Sequence, residues 1–184
     1  MNDETETNDT EPKTETQTMR ERLYGEEPFV ADSAFTSKKA YLIGDVAVGP
    51  RASLWPFVCL RGDGGPVTVG EETNVQEFSM LHGATLGDEV TVGHNVVVDF
   101  ATVGDHSLVG MQSAVLKGAT VESNCIVAAG SVVLQDQTIP EGHLAYGAPA
   151  ETKPLTDAQR DEISRVHEHY VELGREYKST GRFE

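Results

Sequence analysis

Two imidazoles and a carboxylate, His82, His94 and Asp99, are the side chains of this sequence best suited to hold a divalent metal. Zinc accepts that donor set, and iron or cobalt suits it as well. The spacing fits neither one helical face nor one loop, because 17 positions separate His82 from Asp99 and 12 separate it from His94. Whatever positions these groups must therefore repeat over that distance.

The repeat is visible when the centre of the chain is read in columns. One column places Val69, Leu86, Val103 and Val121 at equivalent positions, a second Val75, Val92, Val109 and Val127, and a third Leu81, Val98, Val115 and Val133. Three columns of hexapeptides, recurring every 17 or 18 residues, describe a coil with three flat faces, a parallel β-helix. The aliphatic residue at the first place points inward, and a small residue often fills the fifth. A glycine or small residue at the second place is expected to ease a tight corner. One coil cannot bury its own apolar side, so stacking is obligatory.

The register gives the candidate ligands their geometry. His82 and Asp99 share one place in successive coils, with Leu116 next in line, whereas His94 stands in another column between Glu77 and Met111. His82 and His94 thus lie on different faces of one prism, and they meet only if a neighbouring prism supplies one of them. The residues alone leave two readings open: a metal site shared between subunits, or two unrelated surface histidines. Surface roles are expected for His106 at a corner, His143 in the loop after the coil, and His167 and His169 near the C-terminus.

Thirty acidic residues against fourteen basic ones give a net charge of -16. That balance excludes the basic face that nucleic acid requires and disfavours an anionic membrane. Only six of the basic residues are lysines, which fits either a halophilic protein kept soluble in strong salt or an ordinary acidic cytosolic one. Cys59 and Cys125 show no disulfide or C-x-x-C spacing, and Cys125 falls on a small inward position. With no secretion signal and no apolar run long enough for a bilayer, a cytoplasmic protein is expected. Residues 1–20 read as a disordered acidic tail, 21–150 as the β-helix, and 151–184 as a C-terminal helix packed on it. Ile163, Val166, Tyr170, Leu173 and Tyr177 mark one face of that helix, and Thr156 is its expected N-cap.

The stretch from Gly44 to Thr156 resembles the gamma-class carbonic anhydrases of the hexapeptide-repeat superfamily. The matching pieces are GDVAVG (44–49), SLWPFVCLRGD (53–63), TNVQEFSMLH (73–82), VTVGHNVVVDFATVG (90–104) and AYGAPAETKPLT (145–156). The resemblance implies a left-handed β-helix, a homotrimer, and zinc at each of three subunit interfaces. It implies carbon dioxide hydration to bicarbonate by metal-bound hydroxide. On that pattern His82 is the first ligand and His94 is the ligand donated by the neighbouring subunit. Arg61 and Asp63 tie subunits together near the metal, and Gln76 orients the bound water with Asn74 assisting. Glu77 stands where the family usually has Asp.

One departure matters. The family's third ligand is a histidine five residues after the second, and here that place is Asp99. A carboxylate ligand passes more negative charge to the metal than imidazole does, so it raises the pKa of bound water and weakens attack on carbon dioxide. A metal-free pairing of Asp99 with the neighbour's His94 or with Arg61 is the competing reading. Two other functions fit the fold: an acyltransferase or thioesterase acting on an acyl-CoA with His82 or His94 as base, and a non-catalytic trimeric scaffold.

Overall fold

The three aliphatic columns all turn inward, and every one of the twelve residues named above is fully buried. The computed structural model describes residues 19–181. The tail expected at residues 1–20 lies outside them as far as residue 18, and Met19–Glu21 form a short strand paired in parallel with Tyr41–Ile43. From there the chain is a parallel β-solenoid of about seven turns closed by one C-terminal helix. Equivalent residues of successive coils pair in register: Asn74 with Thr91, Val97 with Met80, Thr102 with Thr85. The core therefore forms by stacking, with Thr73, Val90, Ser107 and Cys125 filling the fifth places between the aliphatic layers.

The corners are made differently from the sequence expectation. The left-handed residue sits at the fourth place, as at Glu72 (φ 55°), Glu89 (φ 59°), His106 (φ 51°) and Asn124 (φ 57°). The second-place glycine has another task. A Cβ on Gly70 would stand 2.3 Å from the carbonyl oxygen of Gly87 in the next coil, so the side chain is excluded by the closeness of the coils.

After the last coil, His143–Tyr146 turns back on Glu151–Pro154 as an antiparallel pair. The helix Asp157–Thr180 follows, and Thr156 caps it with a capping box to Gln159. It packs along the sheet holding Phe35–Thr36, Ser53–Leu54, Asn74–Val75 and Thr91–Val92. Phe35, Trp55, Tyr170 and Tyr177 meet edge-to-face with centroids 5.0–5.7 Å apart. The buried stripe is Ile163, His167 and Gly174, so the helix covers the coil with a histidine and a glycine that apolar periodicity alone passes over. A Cβ on Gly174 would lie 3.0 Å from Ser53 Cβ, which explains the glycine. Among the described residues, no helix is long and apolar enough to cross a membrane.

Candidate metal centre

Register places Arg61, His82 and Asp99 on one line across three successive coils, since Arg61 pairs with His82 and His82 with Asp99. The side chains follow the backbone. His82 Nδ1 lies 2.8 Å from Asp99 Oδ1, and His82 Nε2 lies 3.1 Å from Asp63 Oδ1 and 3.3 Å from an Arg61 guanidinium nitrogen. Arg61 Nε also donates to Asp63 across 3.2 Å, and this bond holds the Asp63 carboxyl below the usual carboxylate range. Around the imidazole the walls are tight. Phe100 meets His82 edge-on at a centroid distance of 4.5 Å, and a Cβ on Gly64 would stand 2.9 Å from the Phe100 ring and 3.4 Å from His82 Nε2. Gly64 is thus the residue that lets both rings approach the backbone. Phe100 holds a left-handed corner (φ 46°) at the place where the neighbouring coils use Gly83 and Gly118.

His94 is elsewhere on the prism, as its column predicts. Its Nδ1 is 2.8 Å from Glu77 Oε2, and its side chain is 45% exposed. Beside it the coil presents an apolar edge: Phe57 and Phe78 are exposed and stacked face to face at 5.1 Å, and Met111 is exposed in the following coils. Gln76 and Asn74 are buried, with Gln76 Nε2 donating to Asn74 Oδ1 (3.1 Å) and Asn74 Nδ2 donating to Thr91 Oγ1 (2.8 Å). Within one chain, then, Arg61, Asp63, His82 and Asp99 come together, whereas His94 and the Asn74–Gln76 pair stand apart from them.

Comparison with known proteins agrees with this architecture. Residues 66–99 match the model described as hexapeptide repeat of succinyl-transferase, and residues 100–135 match bacterial transferase hexapeptide (six repeats). A carbonic anhydrase of Geobacillus kaustophilus is 36% identical over 179 residues, covering 84% of this chain and 88% of that protein. The chain belongs to the gamma carbonic anhydrase-like family of hexapeptide-repeat proteins. A mitochondrial gamma carbonic anhydrase of Arabidopsis thaliana, gamma carbonic anhydrase 2, is 36% identical over 169 residues; the match covers 85% of this chain but 61% of that protein, under two thirds of its length. Among solved structures, a hexapeptide transferase family protein from Anaplasma phagocytophilum superposes with a TM-score of 0.85 at 34% identity, covering 87% of this chain and 98% of that one. The hexapeptide repeats make the solenoid left-handed, against the usual right-handed crossover of parallel strands.

The gamma-type chain also carries a second group of metal-binding side chains, which sequence reasoning missed. Glu89, His106 and His167 offer ligand atoms that all lie within 4.8 Å of one another. His167 is not at the surface as expected. It is 7% exposed, and His106 is half-buried beneath the helix. The signal was available. Glu72, Glu89 and His106 occupy one place in successive coils, by the same 17-residue spacing that aligned His82 with Asp99. The helix partner was harder to find, because a histidine between Ile163 and Tyr170 reads as a polar interruption. Cys125 is buried as expected, and burial pushes its thiol up.

Proposed function

We propose that the protein is a gamma carbonic anhydrase-like metalloprotein that hydrates carbon dioxide to bicarbonate at the interfaces of a homotrimer. The contact that carries this reading is His82 Nδ1 to Asp99 Oδ1 at 2.8 Å, an imidazole and a carboxylate converging on an open edge of the coil. His82, Asp99 and the neighbouring subunit's copy of His94 would hold the metal. Two histidines and one carboxylate are a donor set that zinc accepts, as do iron and cobalt, so the residues present fit the ion. When bound, such an ion supplies Lewis acidity that lets water ionise near neutral pH.

This chain's own residues do the rest. The Glu77 carboxylate lies 2.8 Å from His94 Nδ1 and favours the tautomer that keeps its proton there, which leaves Nε2 free to ligate. Asp63 is placed to accept from His82 Nε2–H, which leaves Nδ1 free to ligate, and Arg61 holds that carboxylate in place. Phe100 packs edge-on against that imidazole and limits its movement on one side. Gln76 has its amide nitrogen committed to Asn74, which leaves the amide oxygen as the end that would accept from water. The exposed Phe57–Phe78 stack beside His94 is the apolar surface that a neighbouring copy would cover.

Asp99 sets the expected strength of the reaction. Each unit by which a carboxylate ligand raises the pKa of water costs about tenfold in the reactive form at neutral pH. Stopped-flow hydration assays of the zinc- and iron-loaded protein test the proposal. Asp99→His should raise the neutral-pH rate by about tenfold and move the pH profile toward acid. A protein that assembles, carries metal and yet hydrates no carbon dioxide in either form would remove the enzymatic reading.

A second reading rests on the same pair. An imidazole oriented by a carboxylate is also the arrangement of a general base, and the Anaplasma phagocytophilum structure belongs to a hexapeptide transferase family. Acyl transfer from an acyl-CoA, with His82 as base, is favoured if the metal-free protein binds acetyl-CoA and His82→Ala abolishes turnover without loss of binding.

A further inference from the structure

We propose that Glu89, His106 and His167 form a second divalent-metal site, which clamps the C-terminal helix to the coil. It goes beyond the interface site and shares no residue with it. Two features of the structure, independent of each other, point to a ligand there.

One is the gathering of donors. Glu72, Glu89 and His106 stack at one left-handed corner, each at the fourth place of its hexapeptide. The helix lays His167 over them, and the ligand atoms of Glu89, His106 and His167 fall within 4.8 Å of one another. Tetrahedral zinc with bonds of about 2.0–2.1 Å needs its ligand atoms about 3.3 Å apart. Glu89 Oε2 and His106 Nδ1 already stand 3.2 Å apart, so the remaining closure around an ion lies on the His167 side. Glu72 stands ready as a fourth ligand: its Oε1 is held by Arg51 Nε at 2.7 Å, and its Oε2 lies 3.8 Å from His167 Nε2.

The other is an unpartnered buried nitrogen. His167 is 7% exposed, and its Nε2 has no hydrogen-bond partner although it is shielded from water. His106 Nδ1 is likewise buried without a hydrogen bond, 3.2 Å from Glu89 Oε2 but out of line for one. Native proteins seldom leave such atoms unsatisfied, and a metal ion is one of the recognised explanations. The second nitrogen of His106 is already engaged, since Nε2 lies 3.2 Å from Ser164 Oγ on the helix. That contact orients the ring as second-layer partners of metal-bound histidines do, leaving Nδ1 for the ion.

The donor chemistry limits what binds. Two imidazoles suit zinc, iron, cobalt or nickel far better than magnesium or calcium, which take oxygen. Glu72 is already paired with Arg51, so Glu89 is the carboxylate whose charge a cation would offset. Because Glu89 and His106 belong to the coil and His167 to the helix, the ion would cross-link two elements that otherwise meet through apolar and aromatic packing and the Ser164–His106 contact.

Hydrogen exchange on the intact protein, with and without added zinc, gives the direct test. Zinc should slow exchange of helix amides flanking His167, and Glu89→Gln/His106→Gln should abolish that protection. The same double variant should bind one zinc fewer per chain, with affinity at the corner reduced by about 100-fold or more. Both substitutions lie on the coil side; His106→Gln also removes the Ser164 contact, so the zinc-dependent change in exchange is read against each protein's own zinc-free baseline. Unchanged exchange of the helix on zinc addition would overturn the proposal. So would equal zinc content in the double variant. In either case the corner is a set of histidine–glutamate contacts that seat the helix on the coil.

Discussion

At the corner carrying Glu72, Glu89 and His106 the chain supplies its own cover, whereas the edge carrying His82 and Asp99 is open on the single chain. Both are built on the same hexapeptide, with donors stacked 17 residues apart. At the first, helix Asp157–Thr180 brings His167 down as the additional imidazole. At the second, His82 and Asp99 are 18% and 39% exposed at their side chains, and the complementary imidazole, His94, points from another part of the prism. The solenoid can stack ligands along an edge, but it cannot close them around an ion. Closure needs a second body, which the helix provides in one region and a neighbouring subunit would provide in the other.

The comparison can be broken from the covered side first. Trp55 is buried among Phe35, Tyr170 and Tyr177, so Trp55→Ala leaves a cavity under the helix. It should cost about 3–5 kcal/mol in urea unfolding. Thr156→Ala removes the side-chain cap and half of the capping box, for about 1 kcal/mol by the same measurement. On the open side the sign of the expectation changes. Phe57→Ser with Phe78→Ser should leave the stability of the isolated chain within about 0.5 kcal/mol. Sedimentation should nevertheless show the assembly reduced to monomers, because the stack beside His94 is exposed until a partner arrives. If the pair of substitutions unfolds the chain instead, Phe57 and Phe78 belong to its own stability, and the contrast between the two regions fails.

The coil was legible because its cause is local and periodic. An aliphatic residue every six positions is needed at each inward place, so Val69, Leu86, Val103 and Val121 declare the repeat by themselves. The alignment of His82 with Asp99 followed from counting, and the register confirms that they pair. The corner glycines were misjudged because closeness and turning are different demands. Gly70 answers the first, and the left-handed Glu72 answers the second. What counting could not reach was the helix. Its docking depends on Gly174 fitting against Ser53 and on where the loop after Tyr146 releases the chain, and neither leaves a periodic mark. His167 was consequently placed at the surface, although the interval from Ile163 through His167 and Tyr170 to Gly174 is one helical stripe.

Completion of the interface site by a second copy can be tested by mixing. His82→Ala and His94→Ala chains, each prepared alone, should lack carbon dioxide hydration. Unfolded together, refolded with zinc and allowed to assemble, they should regain a fraction of it, because some interfaces then join an intact His82–Asp99 pair to an intact His94 of the neighbour. Mixed assemblies as inactive as either variant alone, or full activity in one variant by itself, would contradict a site shared between subunits.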